Sequence, residues 1–202
     1  MEALHALGDP ARLDAAVRGH LMHDPDGFQA WLVDTGRLRQ IRRWLATDLP
    51  APTWNRLLTL VAPAAASVLQ QLLQRRRFGG GWTRLSRQRW SRTSCSLREA
   101  VLTVLLAKPP ARGDPASLIA ATLAQAARRF HSTVPQVAAV LHASLERAAV
   151  RPGLPAAEFD VLEGWLREQA TGDGAIAVDA AAAALGPVAL AAICARQQVS
   201  LS

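Results

Sequence analysis

Four places in this chain hold residue types that do chemistry in other proteins. Asp34-Thr35-Gly36, following Trp31-Leu32-Val33, copies the loop triplet of aspartic proteases. That chemistry needs two carboxylates sharing one proton at close range. Only one such triplet occurs, Arg37 follows it at once, and the stretch closes a helical pattern. A helix C-terminus is therefore expected there. His20 and His23, with Asp24 and Asp26 close behind, have the i, i+3 spacing of a metal pair. No third strong ligand stands at motif spacing, so a polar helix end is expected. Cys95 lies between Ser94 and Ser96 near a helix start, a position that can lower a thiol's pKa. The chain has no Walker loop, no GxGxxG, no GxSxG and no paired catalytic carboxylates. The expectation is a protein that is not an enzyme, without catalytic, cofactor-binding or metal-ligating residues.

The fourth place is the most unusual. "RRRFGGGWTRLSRQRW", residues 75–90, holds six arginines, two tryptophans and three consecutive glycines without an acid. From 75 to 98 the arginines number eight, again with no acid. Arginine interleaved with tryptophan can neutralise phosphates and stack on exposed bases, which is one reading of the strip. No helix-turn-helix, zinc finger or other recognition module surrounds it. The other reading has Trp82 and Trp90 anchored inward while the arginines face an acidic partner. The expected partner-binding residues are Arg75, Arg76, Arg77, Arg84, Arg87, Arg89 and Arg92.

The elements that must position these residues are helices. Asp9-Pro10 opens the first, an Asp cap before a Pro at the first helical position, and it runs to about His23. Asp24-Pro25-Asp26-Gly27 reads as a turn. Phe28, Trp31 and Leu32 then mark a short helix that Gly36 stops. Leu38, Ile41 and Leu45 carry the next one, whose other face is Arg37, Arg39, Arg42 and Arg43. Trp54, Leu57, Leu58 and Val61 repeat the i, i+3, i+4, i+7 pattern. Val68, Leu69, Leu72 and Leu73 continue it. The glycines at 79–81 loosen the backbone, so a break is expected there. Beyond it, faces built on Leu97 and Val101, on Ile119 and Leu123, on Val137 and Leu141, and on Phe159 and Leu162 predict further helices. Asp114-Pro115 repeats the opening device, Pro109-Pro110 is a stop, and residues 175–199 predict two last helices split at Gly186-Pro187. Trp31, Leu45, Leu57, Leu58, Leu72, Val101, Leu105, Leu141 and Trp165 are the expected core.

The whole is an all-α chain, a compact bundle or short α-solenoid of about ten short helices. Composition agrees: half of the 202 residues are apolar, aromatics are 5% and tyrosine is absent, which disfavours β structure. The expected organisation is a basic N-terminal helical half (1–78), a Gly/Arg/Trp joint (79–92) and a C-terminal helical half (93–202). Net charge is +7, and the excess is local: thirteen arginines face the single acid Asp48 between 37 and 98. Cys95 and Cys194 match neither a disulfide framework nor a zinc spacing, and the opening "MEALHALGDPARLDAAV" is too polar for a signal peptide. A cytoplasmic setting is expected. The long apolar stretch 175–195 is interrupted by Asp179, Gly186 and Pro187, so no membrane span is expected.

The stretch "FQAWLVDTGRLRQIRRWLATDLPAPTWNRLLTLVAPAAASVLQQLL" (residues 28–73) resembles the helical middle of the tape-measure proteins of contractile injection systems. "LREAVLTVLLA" (97–107) followed by "LAQAARRFHSTVPQVAAVLHASLERA" (123–148) is similar to another segment of that family. The chain departs from the family in length, and in having Arg39-Gln40 after "TGRL" where a proline–tryptophan pair is typical. The resemblance implies a non-enzymatic assembly factor of a phage-tail-like particle, partnered by other protein subunits with acidic surfaces. The alternative is a helical nucleic-acid-binding protein using the strip 75–98.

Overall fold

The computed structural model describes residues 9–36, 38–107, 115–147 and 156–171. Among these residues ten α-helices and no strand are present. The all-α class is as expected, and the reasons are local. Asp9 caps α1 (Pro10–His23), its carboxylate accepting from Ala11 N at 2.9 Å and Arg12 N at 3.4 Å. Asp24-Pro25 repeats the device. The stretch expected to be a turn is the first turn of α2 (Pro25–Thr35), with the Asp24 side chain accepting from Gly27 N at 3.0 Å. The expected turn is thus corrected: a capping Asp followed by Pro starts a helix directly behind the previous one.

Next come α3 (Arg39–Asp48), α4 (Ala51–Val61) and α5 (Ala66–Leu72). In α3, Ile41, Leu45 and Ala46 are buried while Arg39 and Arg43 stay exposed, so the helix is sharply two-faced.

A second correction concerns the glycines. No break occurs at 79–81: α6 (Arg75–Ser86) runs through all three. Each glycine costs a helix about 1 kcal/mol relative to alanine, and packing outweighs that cost here. Gly81 lies against α9 (Val134–Glu146) so closely that an added Cβ would stand 2.5 Å from Ser144 Oγ and 3.2 Å from Val140 Cγ1. Gly79 is buried too, its Cα facing the Trp90 ring. The chain breaks instead at Arg87, which adopts the left-handed conformation (φ 52°, ψ 23°) and donates its N–H to Thr83 O at 2.9 Å. The turn 87–89 leads into α7 (Trp90–Leu105).

The remaining helices are α8 (Pro115–Arg129), α9 and α10 (Ala156–Ala170). Thr133 and Gln136 form a reciprocal capping box at the start of α9. α3 packs on α7, α7 on α8, α6 on α9, and α9 on α10, while α1 rests on α2 and α4. One apolar cluster joins residues before and after the 79–92 segment, from Leu13 and Leu57 to Leu141 and Leu166. Of the nine residues expected in the core, seven are buried; Trp31 and Trp165 are half-buried at its edge. The Asp114 cap, the Pro109-Pro110 stop and the helices over 175–199 lie outside the described residues. Among those described, no helix is long and apolar enough to cross a membrane.

Candidate functional site

Trp82 and Trp90 fix the arginine strip to the body of the protein. Trp82 is 1% exposed, its indole N–H donates to Leu72 O at 3.0 Å, and its ring lies 5.8 Å from that of Phe130. Trp90 is half-buried against the core. The Trp82 ring is therefore closed to base stacking, which requires a free face. Arg75, Arg76, Arg84, Arg87, Arg89 and Arg92 are exposed and Arg77 is half-buried. Burial pushes the Arg77 guanidinium down from its ordinary value. Among the described residues none of these seven pairs with an acid. Among the described residues, the only side-chain hydrogen bond of the set runs from Arg84 Nε to Gly80 O, at 3.2 Å.

The strip divides where the helix ends. Arg75, Arg76, Arg77 and Arg84 ride on α6. Arg87, Arg89 and Arg92 gather at the start of α7, around a depression of about 400 Å³ that Gln88 and Ser91 complete. No side chain caps this end of α7, because Arg89 occupies the capping position. Its free N–H groups and the helix dipole add positive potential to the arginines. Arg98, the last arginine of the 75–98 strip, is turned inward. Its Nη1 donates to Leu49 O at 2.7 Å and, more weakly, to Ala46 O at 3.4 Å. Its guanidinium lies 5.0 Å from the centre of a Trp54 ring. It thereby closes the C-terminal end of α3 and is not free for a ligand.

A feature that strip-reading misses stands beside this corner. Glu99 is only 8% exposed, and arginines from two other helices surround it. Arg129 Nη2 of α8 is 2.9 Å from Glu99 Oε1, close enough for an ion pair although the N–H does not point straight at the oxygen. Arg39 Nε of α3 is 3.7 Å away, on a side chain 81% exposed. Burial by itself would raise the Glu99 pKa; the contact with Arg129 and the charges of Arg129, Arg39 and Arg42 more than reverse that, leaving it below its ordinary value. Arg42 is pushed down, mainly by burial, and donates from Nη1 to Gly36 O at 3.0 Å. Between α3 and α7 opens a cleft of about 610 Å³ that Arg39, Arg43, Arg92, Arg129 and Glu99 line together. The sequence offers Arg39, Arg42 and Arg43 as one helix face, but nothing in its spacing joins them to Glu99 or Arg129.

The other residues singled out from the sequence fall elsewhere. Asp34 and Thr35 form the last turn of α2, with the Thr35 hydroxyl donating to Trp31 O at 2.6 Å. His20 and His23 end α1, and the His20 ring stacks on Phe28 at 5.7 Å. Among the described residues no group of three or more His, Cys, Asp or Glu is placed to hold a metal ion. Cys95 is half-buried in the wall of the α3–α7 cleft. No family model, no curated protein and no solved structure matches the chain.

Proposed function

We propose that this protein is a non-enzymatic docking and assembly subunit whose arginine face engages the acidic surface of a partner protein. One observation carries the reading. Arg84, Arg87, Arg89 and Arg92 are exposed without an acid partner among the described residues, while Trp82 beside them is tied inward and Trp90 is half-buried against the core. Charges left in this state add little to folding, and at an interface they govern encounter and register. The resemblance to tape-measure proteins supplies the setting, a contractile phage-tail-like particle in which the chain is tape-measure-like and its partners are other subunits. The test replaces these four arginines by glutamine. The melting temperature is expected to shift by no more than roughly 5 °C, since each surface substitution changes stability by only about 0.5 kcal/mol. Assembly or partner capture is expected to be lost, and high salt is expected to mimic the loss in wild type. An unfolded quadruple variant, or unchanged assembly by a folded one, would overturn the reading.

A second reading, nucleic-acid binding, is favoured by one feature outside the strip. Trp44 lines a depression of about 570 Å³ together with Arg39 and Arg43, which puts a ring beside two phosphate-seeking groups. Salt-sensitive binding to generic DNA, lost in Trp44→Ala, would shift the function to this reading.

A further inference from the structure

Charge around Glu99 is out of balance. Among the described residues, the cleft between α3 and α7 sets four arginines, Arg39, Arg43, Arg92 and Arg129, against a single carboxylate. Arg42 adds a fifth cation behind them, close enough to feel both Glu99 and Arg129. Glu99 Oε1 serves two of these arginines, Arg129 at 2.9 Å and Arg39 at 3.7 Å. Arg43 and Arg92, at the mouth, are exposed and have no acid partner among the described residues. The uncharged part of the wall, including Thr47 and Ser91, offers hydroxyl donors. Among the described residues no aromatic lines this cleft; Trp44 belongs to the adjoining depression, which shares Arg39, Arg43 and Thr47 with it.

We propose that the α3–α7 cleft is a second docking site, which seats a carboxylate-bearing acidic segment of a partner protein between Arg43 and Arg92. The proposal takes the ligand's class from the docking function above and shares Arg92 with it, but its other arginines, Arg39, Arg43 and Arg129, are different residues. Arginine's planar fork suits bidentate capture of a carboxylate, and a half-enclosed cleft strengthens the pair relative to open water. Glu99 shapes the site by holding Arg129 and, at 3.7 Å, Arg39, so that Arg43 and Arg92 remain for the incoming acid. Arg39, Arg43 and Arg129 lie outside the strip 75–98. The site therefore needs α3, α7 and α8 brought together.

The test uses the full chain and a fluorescein-labelled peptide of alternating glutamate and glycine, followed by anisotropy. Arg39→Gln/Arg43→Gln is expected to weaken binding about tenfold or more without moving the melting temperature. A control pair with the same loss of charge on other exposed surfaces, Arg56→Gln/Arg147→Gln, is expected to change it less than about threefold. A second readout needs no mutation in the cleft. In a Cys194→Ser background, bound peptide is expected to slow the reaction of Cys95 with a thiol reagent. Equal losses in the two pairs would reduce the site to general electrostatic attraction and overturn the proposal. So would unchanged binding by Arg39→Gln/Arg43→Gln, or unprotected Cys95 under saturating peptide. An oligothymidylate that binds and protects Cys95 where the peptide does not would give the cleft to nucleic acid instead. If an Arg84→Gln/Arg87→Gln/Arg89→Gln variant, which spares Arg92, loses partner capture while Arg39→Gln/Arg43→Gln keeps it, the docking function stands and this site falls.

Discussion

Glu99 carries a charge whose state depends on its neighbours, and that makes it visible to pH. On α7 it faces Arg39 and Arg42 from α3 and Arg129 from α8, with Arg92 and Cys95 along its own helix and Arg43 across the cleft. Its folded pKa lies below the ordinary carboxylate value, so it contributes stability above the unfolded-state pKa, about 4.3 for glutamate. That contribution is lost as pH falls through the folded value. Between pH 7 and pH 3, wild type is therefore expected to lose more stability than Glu99→Gln, measured as the difference in urea midpoints. Equal acid limbs for the two proteins would mean that the arginines do not hold the ionised form. Arg98, beside it in sequence, does unrelated work. It faces the end of α3 and Trp54, and nothing about an arginine in a basic run distinguishes the one that turns inward.

Helix α6 shows how an element can override its own residues' preferences. Three glycines in a row argue for a break on backbone entropy alone, yet α6 passes through them because two of them let neighbours approach. The glycines are not equivalent. Gly81→Ala is expected to destabilise by about 1–3 kcal/mol, since its Cβ would meet Ser144 Oγ at 2.5 Å and the Val140 carbonyl at 3.3 Å. Ser144 is poorly placed to yield, because its hydroxyl donates to Val140 O at 2.8 Å. Gly80 is exposed, with nothing within 4 Å of an added Cβ. Gly80→Ala is expected to stabilise by about 0.5–1 kcal/mol through helix propensity. Thermal denaturation of the two variants measures both signs. The same sign for both would show that α6 does not pack on α9 as described.

At the scale of the whole molecule, a single apolar cluster among the described residues holds the helices, and of their charged residues only Glu99 is buried. Leu57 and Leu58 are fully buried in that cluster. Leu57→Ala is expected to cost about 2–5 kcal/mol in chemical denaturation, as truncation of a buried leucine does. A near-neutral effect would remove α4 from the core. The helical class, the Asp9-Pro10 start and most of the buried face were readable because they depend on local physics: a period of 3.6, a capping oxygen, a fixed proline φ. Trp31 and Trp165 were readable only as apolar anchors; their half-burial depends on which helices end beside them. Sequence alone thus determined the helical class, most of the helices and the basic character of the 75–92 stretch, but not the first turn of α2 or the run of α6 through its glycines. Tertiary structure alone decided that Gly81 serves close packing, that Arg98 closes α3, and that Arg39, Arg43, Arg92 and Arg129 share a cleft with Glu99. Those outcomes depend on contacts between residues distant in the chain, whose energies leave no periodic trace along it.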